Sequence, residues 1–303
     1  MDVDCQKLNQ QHAVPGHVSF HPGPGELCMA VINNAHAAAT ITLAGGHVMT
    51  YAPHGGKPLL WVSPKSAFEP GKGLRGGVPV CWPWFANQVD DPQNKPGHGL
   101  VRTMLWSVES TRALPGGETE LRLRVSDTPE TRAVWPHAFV LELAVTVGPR
   151  LRLEWTARNP GSQPYTYTGA FHPYLVVSDV HEVTLTGLEG VEYLDKNDAF
   201  ARKTQSGPLR FTGAVDHVYL DTTADLAIDD PGLGRTIRIA KSGSRTTVVW
   251  NPYLNDARIP DMEPGSHRQF FCAEAANAAE DVVTVAPGGQ ASLAMEIWTE
   301  PLP

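Results

Sequence analysis

Hydrophobic and polar residues alternate along much of the chain. Across 151–159, LRLEWTARN, residues Leu151, Leu153 and Trp155 fall on one side and Arg152, Glu154 and Thr156 on the other. Across 141–147, Leu141, Leu143, Val145 and Val147 share a side, and Gly148-Pro149 supplies a turn between the two runs. A period of two marks half-buried strands, and a Gly-Pro break between two of them predicts an antiparallel pair. Similar runs at 39–43, 47–51, 121–125, 182–185, 236–239, 246–250 and 292–298 predict further strands. Clusters of Gly, Pro, Asn and Asp interrupt them at short intervals, and prolines in so many places leave few windows for a long helix. The pattern predicts an all-β protein of two antiparallel sheets packed face to face, with at most a residual short helix. Residues 1–15 read as a flexible N-terminal arm. Residues 16–303 read as a single domain, since no linker, charge block or repeat marks a boundary.

Composition narrows the function classes. With 303 residues and 42% hydrophobic content the chain can build a large core without disulfide staples. The 32 acidic residues outnumber the 24 basic ones, a net charge of −8. That balance argues against a partner that is nucleic acid or an anionic membrane, which need a basic surface. A negatively charged ligand would need local cations. No apolar run approaches the roughly 18 residues of a membrane span. The opening MDVDCQKLNQ lacks the basic-then-apolar pattern of a secretory signal. Cys5, Cys28, Cys81 and Cys272 lie far apart with no C-x-x-C pair, so a reduced, cytoplasmic protein is expected. Oligomeric state is open, with a monomer the default.

Two apparent motifs fail on context. Residues 71–76, GKGLRG, match G-x-G-x-x-G, but Pro79 and Pro83 follow where a phosphate-binding helix would have to start. Its glycines are expected to bring the backbone close to something small. His17 and His21 are four apart yet bracketed by Pro15 and Pro22, and neither H-E-x-x-H nor a zinc-spaced Cys/His cluster occurs, so no metal is expected. G-x-S-x-G is absent.

Four segments place polar groups amid aromatic and Gly/Pro-rich backbone: 74–85 (LRGGVPVCWPWF), 96–102 (PGHGLVR), 168–174 (TGAFHPY) and 270–274 (FFCAE). Each residue has an ordinary explanation taken singly: Trp82, Trp84 and Phe85 as core, Arg75 and Arg102 as surface cations, His98 and His172 as satisfied interior histidines, Glu274 as a solvated strand residue.

Together these segments resemble the glucose-6-phosphate 1-epimerase branch of the aldose 1-epimerase family. The resemblance runs from ITLAGGHVMTYAP near Ile41 through RGGVPVCWPWF, HGLVRTMLW, FHPYLVVSDV, VDHVYL, VVWNPY and FFCAE, covering roughly 39–299. It implies a large antiparallel β-supersandwich of the galactose mutarotase-like kind, a sugar phosphate as small-molecule partner and no cofactor. It further implies His172 and Glu274 as the catalytic pair, Arg75 and Arg102 as phosphate ligands, and Asp216 as a ligand of sugar hydroxyls. One position departs: the family usually carries Gln before the His-Gly pair, and this chain has Gly97.

The implied chemistry is consistent with these residue types. Exchanging the α and β anomers of a sugar requires protonation of the ring oxygen and deprotonation of the anomeric hydroxyl, bond rotation in the open chain, and closure on the other face. One acid and one base about a sugar's width apart suffice: a histidine near pKa ~6.5 as acid, and a carboxylate raised by a semi-apolar wall as base. A phosphate dianion on an acidic chain needs converging cations, and arginine's planar fork suits it; Lys72 is a candidate third charge. His98 is either a substrate contact or a structural hydrogen-bonding group. Trp82 is taken as a substrate-binding residue stacking on a sugar face; Trp84 or Phe171 either stack there or pack in the core. The competing readings are an aldose 1-epimerase for unphosphorylated sugars such as galactose, a non-catalytic sugar-phosphate-binding protein, and a structural sandwich with no small-molecule site.

Overall fold

A computed structural model describes residues 3–87 and 95–303. Two eight-stranded sheets dominate it. One runs, in spatial order, Thr184–Thr186, Leu226–Asp230, Arg235–Ser242, Gln290–Pro301, Leu151–Arg158, Val140–Val147, Thr119–Ser126 and Ser107–Ala113. The other runs Ala201–Thr204, Glu192–Asp195, Val215–Tyr219, Thr246–Asn251, Phe270–Asn277, Gly169–Phe171 and Val80–Cys81, with Tyr174–Val176 also paired to Phe270–Asn277. A four-stranded sheet, Val18–Pro22 to His47–Pro53, and a two-stranded one, Tyr165–Tyr167 with Val283–Val285, complete the all-β galactose mutarotase-like architecture. The strand pairings within these sheets are antiparallel.

The first large sheet obeys the alternation of its sequence. Leu151, Leu153, Trp155 and Ala157 are buried with Leu141, Leu143, Val145 and Val147 opposite them. The other face carries a lattice of ion pairs, among them Arg122–Glu120, Arg152–Glu154, Arg152–Glu296 and Arg158–Glu142. Exposed pairs of this kind contribute at most about 1 kcal/mol each, so they keep that face wet and unreactive toward other sheets more than they hold the fold.

The central strand of the second large sheet is covered on both sides, and this positions the site. Along Phe270–Asn277 every residue is buried. Phe271, Ala273 and Ala275 join the core shared by the sheets, whereas Phe270, Cys272 and Glu274 point the other way. Period-two geometry gives the neighbouring strands the same division: Val249 enters the core while Val248 and Trp250 face outward, and Val215 and Tyr219 enter it while Asp216 faces outward.

Residues 5–12, read above within a loose arm, form a short helix, Cys5–His12. Asp4 caps it by accepting from the Gln6 and Lys7 backbone N–H groups, and the Asn9 side chain bonds both backbone groups of Phe20. A second short helix, Pro129–Val134, is capped by Thr128. No helix among the described residues is long and apolar enough to cross a membrane.

Candidate active site

A cleft of about 200 Å³ opens on the outward face of the second sheet, lined by Arg75, Phe85, Asn87, His98, His172, Lys196, Asp216, Trp250 and Glu274 among others. His172 and Glu274 line it side by side, and strand register explains why. Phe171 pairs with Ala275 and Tyr174 with Cys272. The same register carried across the interruption sets His172 opposite Glu274. Pro173, lacking an N–H, breaks the ladder there, and the His172 N–H turns to the Pro79 carbonyl at 3.1 Å. Directly opposed side chains on one face meet. His172 Nε2 lies 3.3 Å from Glu274 Oε1, with the residues 7% and 2% exposed. The expected spacing of a sugar's width is therefore corrected to contact distance. The ring oxygen and the anomeric oxygen are bonded to the same carbon, so adjacent groups can reach both.

The contact is not aligned as a hydrogen bond. Both Glu274 oxygens and His172 Nδ1 are buried without a hydrogen-bond partner. Burial pushes the Glu274 carboxyl well above the usual carboxylate range, Asp216 adding to it and Lys196 opposing it. Burial likewise pushes the His172 imidazole well down, helped by His98 and the positive charge of Arg102. In the free cleft the proton of this pair rests on the carboxyl.

His98 lines the cleft with its ring 5.5 Å from that of His172. Burial, with Arg102, Lys196 and Arg75 nearby, pushes it down to about 3, so it is neutral. Its backbone is held at φ 64, a left-handed conformation uncommon for a non-glycine residue and frequent at functional sites. Arg75 lines the cleft with Nε on both oxygens of Asp261 at 3.1 Å and Nη1 donating to the Tyr174 hydroxyl at 3.0 Å. Asp216 lines it too, paired with Lys196.

Arg102 does not line the cleft. It lies against Gly73, where a Cβ would come within 2.7 Å of its Nη2, and its buried Nε has no hydrogen-bond partner. Its charge nonetheless reaches His98 and His172. Trp82 is corrected from sugar wall to core: it is fully buried, edge-on to Trp135 and Phe139, because its strand register turns it inward. Phe171 packs against Trp155, and buried Trp84 donates to the Pro96 carbonyl. The aromatic walls are Phe85 and Trp250 instead. Lys72 is an exposed partner of Glu69. The glycines at 76 and 77 serve close backbone packing: a Cβ on Gly77 would meet the Val48 carbonyl at 2.3 Å and one on Gly76 the Trp61 carbonyl at 2.4 Å. At Gly97, a Cβ would come within 2.1 Å of Asn87 Oδ1, so a polar side chain from a different position occupies that space.

Lys196, Asn87 and Trp250 were not singled out from the sequence. Lys196 stands alone in a turn after a short strand, and Trp250 reads as one more alternating apolar residue. Only the sheet order brings them to Glu274.

The family model described as aldose 1-epimerase matches residues 28–298. A protein of Cenchrus ciliaris named "Putative glucose-6-phosphate 1-epimerase" is 34% identical over 276 residues, 88% of this chain and 82% of that one. One of the same name from Escherichia coli K12 is 32% identical, covering 84% and 85%. Among solved structures, that of "a putative mutarotase (YeaD)" from Salmonella typhimurium superposes with a TM-score of 0.88 at 28% identity over 96% of both chains.

Proposed function

The chain belongs to the aldose 1-epimerase family, and from that premise we propose that it interconverts the α and β anomers of a hexose 6-phosphate, glucose 6-phosphate first among them, with no cofactor. The observation that carries the reading is the buried, mutually adjacent His172 and Glu274 in the lining of a cleft that also holds an arginine. The names of the relatives supply the substrate. A cytoplasmic setting is part of the proposal and is supported by four free thiols.

The reaction needs one proton on the pair throughout; it rests on Glu274 in the free cleft and passes to His172 across their 3.3 Å contact as the sugar binds, before the ring opens. In ring opening, the imidazolium of His172 donates to the ring oxygen as the C1–O5 bond breaks, and the Glu274 carboxylate takes the anomeric hydroxyl proton as C1 becomes a carbonyl. The C1–C2 bond rotates. On closure the C5 hydroxyl adds to the other face of C1, His172 takes its proton back, and Glu274 returns the other to the anomeric oxygen. Burial makes His172 a stronger acid and Glu274 a stronger base than either is in water, so transfer from the charged pair to the neutral pair runs downhill within the protein. His98, neutral beside them, supplies a hydroxyl contact without competing for the proton. Arg75 and Arg102 supply positive charge for the phosphate.

The test is anomer-resolved NMR exchange on glucose 6-phosphate and galactose side by side. Wild type should accelerate exchange of the phosphorylated sugar preferentially, and Arg75→Ala should raise its KM by roughly 10–10²-fold, the loss of one charged hydrogen-bonding group. Faster exchange of galactose, with Arg75→Ala affecting both sugars alike, would favour the unphosphorylated reading. Binding without acceleration would favour a non-catalytic protein.

A further inference from the structure

Beyond the acid–base pair, the cleft carries a second pair of opposite charge. Lys196 opens the turn Lys196–Asp198 directly after strand Glu192–Asp195, and Asp216 is the second residue of strand Val215–Tyr219. Asp195 pairs with His217, so the next step of that register brings residue 196 beside residue 216. Lys196 Nζ lies 2.9 Å from Asp216 Oδ2, with side chains only 26% and 22% exposed. The turn is tied down: the Asp195 carboxylate accepts from the Asn197 N–H at 3.0 Å and from Lys203 Nζ at 2.8 Å, and Asn197 Nδ2 donates to the Ala214 carbonyl. Both side chains line the same cleft as His172 and Glu274.

An ion pair serving stability alone gains little from such a place, since partial desolvation opposes its Coulomb attraction. What the pair offers a ligand is a donor and an acceptor at hydrogen-bond spacing. The ammonium has further N–H groups to give, and the carboxylate further lone pairs. Hydroxyls on neighbouring carbons of a sugar ring have the matching shape, one accepting and the other donating. A phosphate is a poorer occupant, because it would bring a second anion against Asp216, with Glu274 nearby.

We propose that Lys196 and Asp216 together read two adjacent ring hydroxyls of the substrate, Lys196 accordingly being a specificity-determining residue for the epimerase reaction. The inference rests on the hexose reading given above; it adds the residue that reads one of the hydroxyls and the feature of the sugar it selects. Removing either hydroxyl leaves a partly buried charged group short of a partner, which lowers kcat/KM by roughly 10–10²-fold.

The test measures kcat/KM by anomer exchange for glucose 6-phosphate and its 2-deoxy, 3-deoxy and 4-deoxy analogues. In wild type, two analogues altered at neighbouring carbons should lose roughly 10–10²-fold. In Lys196→Met one of these should become equal to the parent sugar, in Asp216→Asn the other, and Lys196→Arg should keep both discriminations. If Lys196→Met does not fold, Lys196→Gln carries the same comparison. A uniform fall on all four sugars would assign Lys196 a structural role and overturn the proposal; so would a change confined to the preference for phosphorylated over free sugar. Each sugar is also assayed without its phosphate, so a failed substrate assignment shows as lost phosphate preference while the hydroxyl comparison stays readable. Were wild type to turn over neither form, dissociation constants for the same sugars would carry the comparison.

Discussion

Glu274→Gln separates activity from stability in a way that follows from the cleft's geometry. Glutamine keeps the shape of the side chain and removes its proton chemistry, so anomer exchange should fall by about 10²–10⁴-fold. Stability should move the other way above pH ~4.5. The carboxyl is 2% exposed with both oxygens unpartnered, and burial raises its pKa in the folded state. A raised acid pKa gives stability that is present below the unfolded value and is lost as pH rises toward the folded one. Between those limits the unfolded chain ionises and the folded chain does not, at about 1.4 kcal/mol per pH unit. Glutamine has no such term. For 303 residues at about 2.1 cal/mol/K each, 1 kcal/mol shifts Tm by roughly 1.6 °C. Melting curves of wild type and variant should therefore coincide near pH 4 and diverge by about 2 °C per pH unit above it until the folded carboxyl itself ionises, the variant being the more stable. Parallel curves from pH 4 to 8, or wild-type exchange rates in the variant, would refute the reasoning.

Two further outcomes follow from the structure. The pH profile of kcat/KM should be bell-shaped: activity falls at low pH when His172 takes a second proton onto the pair, well below the usual imidazole value, and at high pH when Glu274 loses the only one, well above the usual carboxylate value. A profile with a single limb at an ordinary imidazole pKa would contradict it. Trp82→Phe should lower stability by roughly 1–3 kcal/mol in chemical denaturation while leaving KM unchanged, because the indole is core and its Nε1 has no partner to lose; a raised KM would restore it to the sugar wall.

The strands of the first large sheet were legible because one face meets water, so LRLEWTARN alternates in sequence as it does in space. The strand that carries Glu274 was not. FFCAEAAN is buried on both faces, one against the core and one under the cleft, and such a strand has no alternation to read. The site followed the same division. His172 and Glu274 were indicated by resemblance, but their contact depends on a register between residues about a hundred positions apart. Trp82 was misplaced because an aromatic residue in a Pro/Gly-rich segment looks alike whether it turns toward ligand or core. Lys196 carried no local signal. The helix Cys5–His12 did carry one: Asp4 ahead of a polar run is a helix-capping pattern.

The central claim, that His172 and Glu274 pass one proton between a sugar's ring oxygen and its anomeric oxygen, is tested most directly by NMR exchange of glucose 6-phosphate anomers with His172→Ala at saturating sugar. The account predicts that the variant still binds the sugar, by line broadening of its resonances, while exchange slows at least about 10²-fold. Exchange at the wild-type rate in that variant would contradict it.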